Sequence, residues 1–209
     1  MKQQSFDFEL NIPPLMVGKT EKSAKQKSLI TRGYNRELLR QSKMDTVAEV
    51  FKTLPKIGDQ VHLITNGKYD LFNLIHHFVE KMGVCNEIYL STWIFTKQYS
   101  KILIKLFDEG KIKSIGVVTG LYYKHRDVAG FNFLTKSLYE RGQKYHAFKN
   151  HAKLTILNDG ENYYTIEGSA NLTNNPRTEQ LVITNDKDLY LFNKEWIDEF
   201  FNGDKNESI

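Results

Sequence analysis

Strand-like and helix-like segments alternate along the middle of this chain, and this alternation is the strongest constraint on its fold. After the apolar, β-branched run 61–65, Asp70 can cap a helix and Gly83 can end it. The same order then recurs twice. The predicted strands are 61–65, 87–95 and 115–119, and the predicted helices are 71–82, 97–109 and 128–141. This βαβα order predicts an α/β fold in which helices pack on a sheet.

The C-terminal part of the chain is richer in strands. Strand patterns occur at 145–148 and 180–184, and a last amphipathic helix has Trp196 on its apolar stripe. Between these two strands, apolar and β-branched runs flank the dipeptide Asp159-Gly160, which is typical of a β-hairpin turn. The predicted architecture is therefore a mixed β-sheet flanked by helices.

The predicted hairpin carries an unusual group of polar side chains. His151 and Lys153 are two residues apart, so on a strand they would point to the same face. Ser169 and Asn171 have the same spacing just after Gly168, a residue that can let backbone approach a ligand closely. An imidazole, an ammonium, a hydroxyl and a carboxamide at one edge could hold and attack a phosphodiester.

These residues resemble the HKD signature of the phospholipase D superfamily, within residues 151–179. We call the matching set the HKD-like motif: His151-x-Lys153 and Gly168-Ser169-x-Asn171. The resemblance implies that one histidine attacks phosphorus and a second protonates the leaving oxygen. It further implies that the motif's lysine, serine and asparagine hold the phosphate, and that the sheet is one phospholipase D-like half.

An acidic residue, the position of the family's aspartate and the length of one gap also bear on the resemblance. Glu179 falls about where single-motif bacterial nucleases of that family carry an acid, and it would hold the second ring nitrogen of His151. The family's aspartate is replaced by Asn158, with Asp159 one place later. The gap from His151 to Gly168 is also three residues longer than usual, which the turn can absorb. The family's aspartate is regarded as structural or orienting.

The HKD-like motif occurs once in the sequence. A two-step histidine mechanism needs an acid opposite the nucleophile, and neither His125 nor His146 has a lysine two places on. We therefore expect a homodimer in which a second copy supplies the second His151.

Positive charge is concentrated near the N-terminus. Residues 19–43 contain eight Lys and Arg and only two acidic residues, Glu21 and Glu37, so this segment has a net charge of +6. The whole chain has a net charge of +4, so the remaining residues together carry −2. Such a segment is typical of a polyanion-binding arm, or of a solvated, partly helical face. We predict a basic extension over 1–43 and a domain over 44–209 that begins with a helix at 44–54. We also predict that the basic extension contacts nucleic acid, with DNA preferred to RNA. The contacting residues would be Lys19, Lys22, Lys25, Lys27, Arg32, Arg36 and Arg40.

Two further polar segments follow predicted strands. Trp93 closes the second strand, and Lys124, His125 and Arg126 come after the third. Ligands bind at strand ends in sheets of this kind, so these residues could line a groove that leads to His151. Alternatively, Trp93 belongs to the core and the basic run is a solvated loop.

The remaining features limit the class of protein. Cys85 is the single cysteine, and no signal peptide or long apolar run is present, which predicts a reducing, cytoplasmic location without membrane contact. No His, Cys, Asp and Glu spacing resembles a metal site, and we expect no cofactor. The sequence thus predicts a metal-independent phosphodiesterase, most simply a nuclease. Alternatives are an inactive nucleic-acid-binding protein on the same scaffold and a phospholipid-cleaving enzyme.

Overall fold

The computed structural model describes residues 35–40, 47–65, 67, 70–174 and 177–202. All of these belong to one compact unit, Gly33–Ile209. Its elements are β1 (Asn35–Arg40), α1 (Val47–Val50), β2 (Asp59–Thr65), α2 (Leu71–Met82), β3 (Glu87–Thr92), α3 (Lys97–Asp108), β4 (Ile115–Gly120), α4 (Tyr123–Arg126), α5 (Val128–Glu140), β5 (Lys144–Phe148), β6 (Leu154–Asn158), β7 (Tyr163–Gly168), β8 (Glu179–Asn185) and α6 (Lys187–Asn202).

The strands form one mixed sheet in the order β1-β2-β8-β7-β6-β3-β4-β5. β3, β4 and β5 run parallel to one another, as do β1 and β2. The pairs β2–β8, β8–β7, β7–β6 and β6–β3 are antiparallel. The predicted fold class, a mixed β-sheet flanked by helices, is confirmed.

Helices cover both faces of this sheet. Successive residues of a strand point to opposite faces, and β3 illustrates the division. Ile88 packs in a large buried cluster with side chains of α2, α3 and α5. Tyr89 packs in a second cluster with Tyr190 and Ile197 of α6. α6 therefore lies on the face opposite α2, α3 and α5.

Local signals explain why the helix α2 forms where it was predicted. The backbone N–H of Asp70 donates to the side chain of Asn73 at 3.0 Å, which satisfies one group at the start of the helix. At the other end, Gly83 has φ +77°, a conformation that favours glycine, and this ends the helix.

Two element boundaries differ from the sequence prediction. The helix predicted at 44–54 is found only as α1. Phe51, just after its end, packs edge-on against Phe78, and Pro55 disfavours helical backbone at Leu54. Residues 44–46 lie outside the described residues. The strand predicted at 87–95 ends at Thr92, after which Phe95 forms one isolated bridge with Leu172.

The sheet also begins earlier than the predicted domain boundary at residue 44. β1 lies within the range 1–43 that we expected to be an extension, and it pairs in parallel with β2. A separate basic segment before β1 stays a prediction, since residues 1–34 lie outside the described residues.

Candidate active site

The two halves of the HKD-like motif meet at one edge of the sheet. His151 and Lys153 lie in the loop that enters β6, and Ser169 follows the end of β7. β6 and β7 are antiparallel, with Leu154 opposite Glu167, so the start of one strand is beside the end of the other. The predicted hairpin brings the motif together, but His151 and Lys153 precede the strand rather than lie in it.

His151 and Lys153 are in direct contact despite this correction. Lys153 Nζ donates to the His151 carbonyl at 2.9 Å and lies 3.2 Å from His151 Nδ1. An ammonium group can only donate a hydrogen bond, so in this arrangement Nδ1 accepts and the neutral ring carries its proton on Nε2. Burial lowers the pKa of Lys153, although the nearby carboxylate of Glu179 partly opposes that effect.

Glu179 is placed against the serine of the motif. Ser169 Oγ donates to Glu179 Oε2 and accepts from the backbone N–H of Gln180 at 3.1 Å. The backbone of Glu179, the first residue of β8, donates to Thr65 Oγ1 at 3.3 Å. The carboxylate thus contacts Ser169 and is near enough to Lys153 to raise its pKa, and its bond to the His151 ring stays a prediction.

Asn171 is fixed by the end of β3. Its Oδ1 accepts a hydrogen bond from Thr92 Oγ1 at 3.4 Å, and the next residue, Leu172, donates its backbone N–H to the same hydroxyl at 3.3 Å. The carboxamide is therefore held near Ser169 at the edge of the sheet.

Gly168 is needed for strand packing. A Cβ at this position would lie 2.1 Å from the carbonyl oxygen of Gln180 in β8. The close approach that we expected from a ligand is therefore made by the neighbouring strand, and a substrate-binding role for Gly168 stays a prediction.

Trp93 lies beside His151 and is not among the buried core residues. It is partly buried, and its ring centroid is 5.9 Å from that of His151. Arg126 places its guanidinium carbon 5.3 Å from the Trp93 ring centroid, within the range of a cation–π contact. Lys124 and His125 are exposed on the short helix α4, which replaces the predicted loop.

Asn158, which stands at the family's aspartate position, lies at the other end of β6. Five residues of strand separate it from Lys153, which corresponds to roughly 16 Å. Its Nδ2 donates to the hydroxyl of Tyr190 at 2.7 Å, and that hydroxyl donates to Glu87 at 2.6 Å. Asn158 therefore joins α6 to the sheet and does not touch the motif.

The residues predicted to contact nucleic acid lie in β1 or precede it in the sequence. Lys19, Lys22, Lys25, Lys27 and Arg32 lie outside the described residues. Arg36 and Arg40 belong to β1, opposite Gln60 and Ile64 of β2.

Within the described part of the chain, no three His, Cys, Asp or Glu side chains converge as metal ligands would. None of the helices described combines the length and apolar character needed to cross a bilayer.

Comparisons with known proteins relate this chain to others by fold. No family model and no curated protein matches the sequence. A polyphosphate kinase from Porphyromonas gingivalis is similar over 72% of this chain and 27% of its own, with a TM-score of 0.51 and 12% identity. TrmBL2, an archaeal chromatin protein, is similar over 66% of this chain and 51% of its own, with a TM-score of 0.46 and 16% identity. A phosphatidylserine synthase from Haemophilus influenzae is similar over 66% of this chain and 36% of its own, with a TM-score of 0.44 and 13% identity.

Of these three, the polyphosphate kinase alone exceeds a TM-score of 0.5. At 12% identity, what this chain shares with it is the fold. The chain spans only about a quarter to a half of the length of these three proteins.

Proposed function

We propose that this chain is a metal-independent phosphodiesterase, a nuclease that works through a phosphohistidine at a homodimer interface. The observation that carries this proposal is the meeting of His151 and Lys153 with Ser169 and Asn171 at one edge of the sheet. The exposed imidazole is accessible to a substrate, whereas the groups around it are held in place by hydrogen bonds.

The reaction would proceed in two displacements. His151 Nε2 attacks phosphorus, the P–N bond forms, and the bond to the leaving oxygen breaks. Before this step Lys153 must turn from His151 Nδ1 toward the phosphate, so that the ring proton can move to Nδ1 and free Nε2. Lys153, Ser169 and Asn171 then stabilise charge on the phosphoryl oxygens.

The second His151 would come from a second copy of the chain. It donates a proton from Nε2 to the leaving oxygen, and it later takes a proton from the water that hydrolyses the P–N bond. To act as an acid, this second ring must carry protons on both nitrogens, so that it is left neutral after it donates, and its Lys153 must therefore also turn away from Nδ1. The two copies would thus use two protonation states of one residue.

Nucleic acid is the substrate that the surroundings favour. Trp93 with Arg126 provides an aromatic ring and a guanidinium beside His151, which suits a base or sugar next to a phosphate. The basic residues at 19–32 would supply further phosphate contacts.

An inactive nucleic-acid-binding protein is the second candidate, and the replacement of the family's aspartate by Asn158 is the observation that favours it. The position of Asn158 weakens this alternative. Its amide is occupied by Tyr190 at the far end of β6, so the missing carboxylate removes no group from around His151.

A cleavage assay in EDTA separates the two candidates. Labelled plasmid, linear duplex and single strands should be cut by the wild-type protein without a divalent ion, and a covalent protein–nucleic acid intermediate should be trapped by denaturation at alkaline pH, where the P–N bond survives. Retention of labelled nucleic acid in a binding assay, with no cleavage of any substrate, would leave only the binding protein.

The pH dependence should report on Lys153. Because burial lowers the pKa of Lys153, its positive charge should be lost at a lower pH than that of an ordinary lysine. We expect kcat/KM to fall on the alkaline side as this charge disappears. The arginine of Lys153→Arg stays charged up to about pH 12. In this variant, the fall of kcat/KM should therefore occur at a higher pH. Profiles of kcat/KM against pH measure this, with Lys149→Arg, an exposed neighbour, as the control. Identical alkaline limbs in all three proteins would remove Lys153 from the mechanism.

Salt dependence should report on the basic segment. Replacing Lys19, Lys22, Lys25 and Lys27 by alanine should lower duplex affinity and reduce the slope of log K against log salt by roughly 0.9 for each lost phosphate contact. Cleavage of a small phosphodiester should be unchanged. The control removes the same charge elsewhere, from the exposed lysines 101, 105, 113 and 136. Equal slopes in both variants would mean that the segment does not contact phosphates.

A further inference from the structure

Two adjacent buried polar residues end the central strand β3. Ser91 is 2% exposed and Thr92 is fully buried. Successive side chains of a strand point to opposite faces, so the two hydroxyls serve different surroundings. Buried hydroxyls are normally hydrogen-bonded, and the identity of their partners is informative here.

Ser91 fixes the first half of the HKD-like motif. Its Oγ donates to the carbonyl of Ala152 at 3.1 Å and accepts from Asn150 Nδ2 at 3.0 Å. Asn150 Oδ1 in turn accepts the backbone N–H of Ala152 at 2.9 Å. Ala152 stands between His151 and Lys153, so this closed ring holds both its N–H and its C=O. The sequence reasoning did not single out Asn150, which is 5% exposed.

Thr92 fixes the second half. Its Oγ1 accepts the backbone N–H of Leu172 at 3.3 Å and lies 3.4 Å from Asn171 Oδ1. The same hydroxyl lies 3.0 Å from the carbonyl of Ile94, so it is also tied to its own loop. One hydroxyl therefore contacts both the side chain of Asn171 and the peptide that follows it.

β3 is well suited to carry both contacts. It is paired with β4 on one side and with β6 on the other, so its end is fixed within the sheet. The two halves of the motif, in contrast, lie in loops that begin or end at strands β6 and β7. The pairing of this hairpin ends at Leu154 and Glu167, so the motif residues lie just beyond its last paired residues.

We propose that Ser91 and Thr92, with Asn150, are positioning residues that hold the two halves of the HKD-like motif in register. Ser91 sets the direction of His151 and Lys153 through Ala152, and Thr92 sets the place of Asn171. This inference rests on the proposed function for its catalytic consequence, but the geometry that it assigns can be measured without turnover.

The test uses matched substitutions in the full chain. Thr92→Val keeps the shape of the side chain and removes its hydroxyl, whereas Thr92→Ser keeps the hydroxyl. Thr165→Val is the control, since Thr165 is buried in β7 and its hydroxyl makes no hydrogen bond within the described part of the chain. Ser91→Ala is the second probe, and its control is Ser100→Ala, another buried serine, which bonds within the turn that starts α3.

The expected result is a selective loss of turnover. Thr92→Val and Ser91→Ala should lower kcat roughly 10- to 100-fold, with KM changed far less, because small displacements of reacting groups are costly. Thr92→Ser, Thr165→Val and Ser100→Ala should stay near wild type. Equal kcat in Thr92→Val and Thr165→Val, or in Ser91→Ala and Ser100→Ala, would overturn the proposal.

A binding measurement separates this inference from the proposed function. Calorimetry with tungstate, a phosphate-like oxyanion, should show weaker binding in Thr92→Val and Ser91→Ala, with Thr92→Ser near wild type. If the wild type binds tungstate but cleaves no phosphodiester, this pattern sustains the positioning role while the nuclease proposal fails. Unchanged tungstate binding in both variants, or no binding by a wild type that also lacks activity, would overturn the inference.

Discussion

Replacing His151 by alanine should reduce phosphodiester cleavage at least about 100-fold, because the substitution removes both the nucleophile and the proton donor. The fold should be unaffected. His151 is exposed, and its ring contacts are with Trp93 and with Lys153, which is held independently at the His151 carbonyl. Initial rates on a labelled oligonucleotide and a thermal unfolding midpoint, measured on the same preparation, give the two quantities.

His76→Ala is the matched control for this experiment. His76 is partly exposed, and it lies on α2, where it pairs with Glu80 at 3.4 Å on the helix surface. Its replacement should leave turnover near wild type. Comparable turnover in His151→Ala and His76→Ala would mean that His151 is not the nucleophile.

Mixed dimers should be almost inactive. If each reaction needs one His151 as nucleophile and the other as acid, a heterodimer of wild type and His151→Ala has only one of the two groups. Co-expression with two different tags and sequential purification isolate this species, and sedimentation should give twice 24.4 kDa. Its turnover should approach that of the His151→Ala homodimer and fall well below half of the wild-type value.

The alternative source of the acid is a histidine within the same chain. The ring of His146 stacks on Phe200 with centroids 6.0 Å apart, so it packs against α6. His125 is exposed on α4, in the same segment as Arg126. Heterodimers with half of the wild-type activity, or an active monomer, would point to such an acid, and His125→Ala would then be the next variant to test.

The helices and strands were predictable where local signals agreed. α2 was predicted at 71–82 and is found at Leu71–Met82, because its cap, its apolar stripe and its terminal glycine all lie within one short segment. The order of the strands was not predictable, because β2 pairs with β8 and β3 pairs with β6, and both partners are distant in sequence. No local sequence pattern indicates which distant strand a given strand will pair with.

The same distinction applies to the candidate site. The motif was found because its residues sit on one hairpin, at spacings that the turn preserves. Asn150 was missed because its role depends on Ser91, 59 positions away. For Trp93 the sequence left a groove and the core as alternatives, because its position beside His151 depends on where the loop before β6 folds back.

The strand β1 has a practical consequence for the design of shortened proteins. It pairs along the outer side of β2, so it shields a row of backbone groups that would otherwise be open to another strand. A version of the chain that starts at residue 44 would lack this shield, and we expect it to self-associate through β2 at high concentration. Removal of the basic residues should therefore stop before Gly33, so that solubility and nucleic-acid binding are not altered by the same cut.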